Sequence, residues 1–214
     1  MYRPAQFRED RPEVLIAAVN QLRLATVITF SGAELVASHI PMLFKTDDKE
    51  LRLEGHVARA NPQWKNIEQR VDALALFLGP HAYISPSWYA AKAEHQRVVP
   101  TWNYISVEAA GPLSIIDDKQ WLLRHISELT EHNESGLSEP WAVADAPAEF
   151  VEQLSGAIVG LSMQVRRLEG TWKMAQHRSA ADRLGVMKGL NELEDLAGRA
   201  VAAEMARLEA ERSP

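Results

Sequence analysis

The sequence predicts a mainly β protein with peripheral helices (α+β), built as an antiparallel barrel, and three observations carry that expectation. Six or seven short segments either alternate apolar and polar residues or run continuously apolar, as strands do. They follow one another with few long helices between them, so hairpins rather than parallel crossovers are expected. No Gly-rich nucleotide loop joins a strand to a helix, which argues against a doubly wound sheet.

Asp10 reads as the N-cap of a helix running to about Leu22, with Pro12 in its first turn and Val14, Leu15, Ala18, Val19 and Leu22 on one stripe. Strands Leu24 to Phe30 and Leu35 to Phe44 meet at Ser31-Gly32, a hairpin signal. Lys45 to Lys49 forms a turn into strand Leu51 to Glu54, and Asn61-Pro62 starts a helix to about Arg70. Val71 to Leu78 reads as a buried strand stopped by Gly79-Pro80, and His81 to Ser85 as a further strand or extended segment. Pro86 to Pro100 reads as a functional loop or lid, or as a connection with a short helix at Ala90 to Glu94. Trp102 to Ile116 gives one or two strands broken near Gly111-Pro112. A helix spans Asp118 to His132, with Trp121, Leu122, His125, Ile126 and Leu129 on one face. Pro147 begins another. The last strands lie in Ile158 to Lys173, and helices follow over Ser179 to Leu190 and Asn191 to Arg212. In the last helix Leu193, Ala197, Val201, Met205 and Leu208 form a stripe.

With 214 residues, 46% hydrophobic and 24% charged, the chain has enough apolar side chains for a full core. We divide it into a domain of residues 1–178 and a helical extension of residues 179–214. No run reaches the roughly 20 apolar residues of a membrane helix, and Met1-Tyr2-Arg3-Pro4 carries no apolar leader. Zero cysteines exclude disulfides and thiolate chemistry and fit a cytoplasmic setting. The net charge of −6 disfavours non-specific nucleic-acid binding, which needs a basic surface. A local basic patch stands against that balance: Arg166, Arg167, Lys173, His177, Arg178, Arg183 and Lys188. It reads as a solvated rim with some anion-binding members.

The segment Gly55-His56-Val57-Ala58-Arg59-Ala60-Asn61-Pro62-Gln63-Trp64 carries the sharpest chemistry. A strand ends, a donor-rich turn follows, and a helix starts with free N–H groups, which suits a phosphate. His56 and Arg59 add donors, Arg59 as a bidentate fork. The alternative is a polar turn whose arginine pairs with a surface carboxylate.

Several further segments accompany it in order: Met1-Tyr2-x-Pro-x-x-Phe, Ser38-His39-Ile40-Pro41, Gly79 to Tyr89, Val99 to Tyr104, and Lys173-Met174-Ala175-Gln176-His177-Arg178 through Asp182-Arg183-x-Gly185-Val186. Together they resemble the PaiB-type FMN-binding negative transcriptional regulators over nearly the whole chain. The late block departs from the form Lys-Leu-Ser-Gln-Asn-Arg at Met174, Ala175 and His177. The resemblance implies an antiparallel split β-barrel of the FMN-binding type, a homodimer, and FMN between subunits. It implies a phosphate turn at Gly55 to Asn61 and a flavin ring along Ala37 to Met42.

The cofactor-binding candidates that follow are Ser38, His39 and Ile40 on the strand and His56, Val57, Ala58, Arg59 and Asn61 in the turn. Thr101, Trp102 and Asn103 offer a hydroxyl, an aromatic plane and an amide for a heterocycle. Lys173 and Gln176 complete the set, with Arg178 beside them. No catalytic residue is assigned. A metal site is not expected, since no close His/Asp/Glu spacing occurs, and no Gly-x-Ser-x-Gly elbow marks a hydrolase. The rival readings are a flavin-dependent oxidoreductase on a small molecule and a haem-binding split barrel. DNA or a regulatory protein is the partner a regulator implies, although no helix-turn-helix signature is present.

Overall fold

Ser31-Gly32 closes the first hairpin as expected: Ser31 N–H donates to the Glu34 carbonyl at 2.9 Å, and Gly32 takes a φ of 86°. The structure, a computed structural model, describes residues 2–47 and 50–212. Asp48 and Lys49 of the expected turn, Met1 of the opening motif and the last two residues of the expected extension lie outside the described residues. The chain divides into two units, Met1–Ala18, Leu78–Val107 and Glu169–Pro214 in the first, Val19–Phe77 and Glu108–Leu168 in the second.

In the second unit, β2 (Leu24–Phe30) pairs antiparallel with β3 (Leu35–Pro41), setting Val27 opposite Ser38 and Thr26 opposite His39. On its other side β2 meets the first half of β6 (Ala73–Ile84). A separate four-stranded sheet runs in the order β4 (Leu43–Asp47), β5 (Glu50–Ala58), β9 (Ile158–Gln164), β8 (Leu113–Ile116). The sequence predicts one strand from Leu35 to Phe44. The structure makes it two, because the chain changes sheets at Met42, whose N–H donates to the Arg23 carbonyl and whose side chain is buried.

The register of β5 on β9 places Leu53 opposite Met163 and Val57 opposite Val159, all buried. Each such side chain contributes roughly 1.5–3 kcal/mol on removal from water. Gly55 sits on this face because a Cβ there would lie 2.9 Å from Ile40 Cγ2, so only glycine lets β3 and β5 come this close. The opposite face of β5 carries His56, as strand alternation requires. It is covered by α3 (Lys119–Glu134), whose Asp118 cap accepts from the Trp121 N–H at 2.7 Å. α4 (Ala148–Ser155) also belongs to this unit.

In the first unit β1 (Arg8–Glu9) pairs antiparallel with β10 (Arg167–Lys173), and β7 (Thr101–Gly111) and the second half of β6 follow in order. The Gly79-Pro80 stop is overturned: β6 runs through it to Ile84. Gly79 leaves room for Ile105 of β7, which a Cβ would approach to 3.1 Å. Neither sheet closes on itself among the described residues.

α1 (Pro12–Leu22) buries Leu15 and Val19 as its stripe predicts. α5 (Ala180–Glu192) and α6 (Leu196–Arg212) pack on each other and bury Val186, Leu190, Val201 and Met205. The break between them falls later than expected. Asp195 caps α6 by accepting from the N–H groups of Ala197 and Gly198, which leaves Leu193 outside the helix. α2 (Ala91–His95) occupies the expected short helix, and no described helix is long and apolar enough to cross a membrane.

Candidate functional site

The Gly55 to Trp64 turn is built from its own hydrogen bonds. The predicted helix to Arg70 is a 3-10 segment of Pro62–Asn66, too short to gather the backbone dipole that a longer helix would aim at an anion. Asn61 caps it through Oδ1, accepting from the Gln63 N–H at 2.9 Å, while its amide nitrogen donates to Ser38 Oγ at 3.0 Å. Gln63 is buried and its amide nitrogen lies 3.1 Å from the Val27 carbonyl, 3.1 Å from Thr29 Oγ1 and 3.2 Å from the Val36 carbonyl. Trp64 donates its indole N–H to the Arg59 carbonyl at 3.1 Å. These contacts fasten the turn to the β2–β3 hairpin.

Arg59 is committed in the same way. Its terminal nitrogens fork onto Asp117 at 2.9 and 2.5 Å, and the remaining bonds go to the Gly156 and Ile158 carbonyls. Asp117 holds its carboxyl below the usual range through this bond, and Arg59 is raised by it. His56 lies on the α3 side of β5, away from β3. Its Nδ1 is 3.2 Å from Nε2 of His125, which is fully buried and stacked on Trp121 with ring centres 5.0 Å apart. Burial lowers the His56 pKa. It drives His125 down to about 3, with the neighbouring His56, Lys45 and Arg124 charges adding to the effect. Both imidazoles are neutral, so neither brings positive charge to an anion. Val57 is buried in the sheet and Ala58 is exposed.

On β3, alternation separates the candidates. Ser38 and Ile40 turn toward the covered face, and His39 turns outward, with Nδ1 3.1 Å from Thr26 Oγ1 on the neighbouring strand. Of this group the structure joins Ser38 to Asn61 and leaves His39, His56 and Arg59 in three different places.

The first unit presents the opposite electrostatics. Lys173, at the end of β10, donates from Nζ to Thr101 Oγ1 at 2.7 Å and lies 5.9 Å from the Tyr104 ring centre. Burial pulls its ammonium below the ordinary lysine range. Gln176 closes the following turn: its carbonyl oxygen accepts from the Met174 N–H at 2.7 Å, and its amide nitrogen donates to the Trp172 carbonyl. Ala175 takes a φ of 59° in that turn. Arg178 lies over Tyr89, 4.7 Å from the ring centre, with its buried Nε unpartnered. His177 meets Phe7 edge-on, and burial followed by the charges of Arg178 and Lys173 lowers its pKa. The departures at Met174 and Ala175 are buried packing positions.

The basic patch resolves here. Arg166 pairs with Asp72, Arg167 with Glu108, Arg183 with Glu209 and Lys188 with Glu192. Among the described residues Lys173 and Arg178 have no carboxylate within ion-pair distance. The other β7 candidates diverge from Thr101. Asn103 is 1% exposed, donates to Met205 Sδ at 3.4 Å and leaves its Oδ1 unpartnered, while Trp102 is 52% exposed beside His81 and Tyr83. The Pro86 to Pro100 segment carries the short helix of the connection reading and is anchored: Ala91 N–H donates to buried Asp182, and Trp88 seats on Gly185 and Gly189.

Sequence reasoning did not find His125 or Asp117 as partners of the turn, since nothing in the linear pattern marks which carboxylate or imidazole a fold brings opposite. The pairing pattern of the basic patch was equally hidden. Among the described residues no three His, Asp or Glu side chains gather as for a metal ion.

The described residues form an open antiparallel two-sheet fold, and no described carboxylate lies within ion-pair distance of the cations in the Lys173 to Arg178 turn. The family described as "Putative FMN-binding domain" matches residues 1–167, and the chain belongs to that family, with FMN as its cofactor. Protease synthase and sporulation protein PAI 2 of Bacillus subtilis is 31% identical over 91% of each chain. Among solved structures, the flavocytochrome Anf3 from Azotobacter vinelandii superposes with a TM-score of 0.58 at 15% identity, over 80% of this chain and 72% of that one. The FAD and haem binding protein from Mycobacterium smegmatis gives 0.58 at 14%, over 83% and 78%. These two establish the split-barrel type of fold.

Proposed function

We propose that the FMN phosphate is held in the first unit by Lys173, with the Thr101 hydroxyl oriented by it and Arg178 supplying the second cation. The observation that carries this reading is a half-buried lysine that meets no carboxylate among the described residues, next to an arginine whose buried Nε finds no partner there. Cations desolvated without a counter-charge are costly, and a phosphate oxygen would supply the missing acceptor. Gln176 positions both by closing the turn between them. When bound, FMN supplies one- or two-electron redox chemistry, and the protein's share is to bind and orient it.

The test is a pair of titrations of the apoprotein, followed by flavin fluorescence. FMN should bind at least about 30-fold tighter than riboflavin, since one charge-assisted hydrogen bond is worth about 2 kcal/mol. Equal affinities would remove the phosphate from this site. The absorption spectrum of the purified protein separates flavin from the haem reading.

As to its role, we read the chain as a cytoplasmic FMN-binding regulator resembling the PaiB group, acting as a homodimer and through a protein partner rather than by gripping DNA. The charge of −6 supports the last point, and the absence of cysteine fits the compartment. For the dimer, the support is β3, whose outward side carries Leu35 at 74% exposure, a surface apolar enough to be covered by a second copy. Sedimentation at micromolar concentration should give twice the chain mass. A specific gel shift with promoter DNA at physiological salt would overturn the indirect role. Anaerobic bleaching of the bound flavin by NADH or NADPH would favour the oxidoreductase reading.

A further inference from the structure

We infer that a cavity of about 480 Å³ in the first unit is a site for a small organic ammonium ion with an apolar body, separate from the phosphate turn. Its walls are Tyr83, Trp88 and Trp102, with His81 beside them, and the loop between α5 and α6 closes it with Asp195. The volume lies in the range of small-molecule pockets. Trp102 meets Tyr83 edge-on at 6.2 Å between centres and lies 6.2 Å from His81 at a 35° tilt. Trp88 is held in place because it rests on glycine: a Cβ at Gly189 would come within 2.5 Å of its ring. A rigid aromatic wall is therefore formed before any ligand arrives, while Trp102 and Tyr83 are left about half exposed.

The polar groups choose the ligand's charge. His81 Nδ1 lies 3.0 Å from the Gly79 carbonyl, an obligate acceptor, so Nδ1 carries a proton and, in the neutral ring, Nε2 is an acceptor. Asp195 accepts from two backbone N–H groups at the start of α6, and a carboxylate has lone pairs beyond those two bonds. No lysine or arginine lines the cavity among the described residues. Acceptors, one carboxylate and several π faces with no cation suit an ammonium ion over an indole and disfavour a phosphate. The same absence separates this cavity from the FMN phosphate site.

The test uses the full chain loaded with FMN and two probes of one shape, choline and its uncharged carbon isostere 3,3-dimethylbutan-1-ol, followed by calorimetry and tryptophan fluorescence. Choline should bind saturably and at least about tenfold tighter than the isostere, the size of a desolvated cation–π contact. Trp102→Ala should abolish choline binding. Asp195→Asn keeps one of the two capping bonds, through its amide oxygen, and should weaken choline about tenfold. A retained cooperative urea-unfolding transition in both variants certifies their fold. No binding of either probe, isostere affinity equal to choline or better, or choline affinity kept in either variant would overturn the assignment. So would a dimer that falls to monomer in Trp102→Ala without a change in choline binding, since the rings would then serve a subunit seam.

Discussion

Two donor-rich turns of this molecule make opposite use of similar residues. The turn at Gly55 to Trp64 holds an arginine, a histidine, an asparagine and a glutamine, and spends most of their capacity internally on Asp117, His125, Ser38 and the β2–β3 backbone. The turn at Lys173 to Arg178 holds a lysine, an arginine, a histidine and a glutamine, yet its lysine and arginine meet a hydroxyl and aromatic rings and, among the described residues, no carboxylate. The first is a latch, and the second is where we propose the phosphate binds. What separates them is the charge of the partner each side chain meets.

The contrast can be broken at several points. The largest effect belongs to Gln63→Ala, which strips an amide from buried carbonyl acceptors; it should cost about 3 kcal/mol of unfolding free energy in urea. A loss below about 1 kcal/mol would mean water replaces the amide and the latch is loose.

Next comes Lys173→Gln, expected to weaken FMN about 30-fold and leave riboflavin unchanged, the mark of a lost phosphate contact worth about 2 kcal/mol. Should riboflavin weaken in parallel, Lys173 serves the ring or the fold.

The histidine pair gives a pH signature. His125 is held neutral with a pKa of about 3, well below its unfolded value, so the unfolded chain binds the extra proton as pH falls. Stability is full above about pH 6.5 and drops below it by about 1.4 kcal/mol per pH unit for each such histidine, until the folded pKa is reached. His56 is lowered as well and adds to the slope. His125→Phe should remove about one proton's worth of that acid dependence in denaturation curves from pH 7 to 4. An unchanged slope would place the proton uptake elsewhere.

The smallest change is expected of Arg59→Gln, because its partner Asp117 is exposed: a minor loss of Tm and FMN affinity within twofold of the original. A large loss of FMN affinity would return the phosphate to the first turn.

Much of the fold was legible in the sequence. Alternation located β5 and β7, Ser31-Gly32 marked a hairpin by local turn chemistry, and the start of α3 fell at Asp118 as read. Where legibility failed, the deciding interaction was remote. Gly79-Pro80 reads as a stop until Ile105 is found beside it, and Leu35 to Phe44 reads as one strand until Met42 is seen to change sheets.

The candidate site divides along the same line. By itself the sequence determined where donors cluster, because residue types, strand period and turn residues are written in order along the chain. Only the tertiary structure decided which donors are spent, because an ion pair depends on what the fold carries into range: Asp117, 58 positions from Arg59, reaches it, and among the described residues no carboxylate reaches Lys173. Charge neutralisation falls off steeply with distance, so a few ångströms set by packing turned one turn into a latch and left the cations of the other without a counter-charge among the described residues.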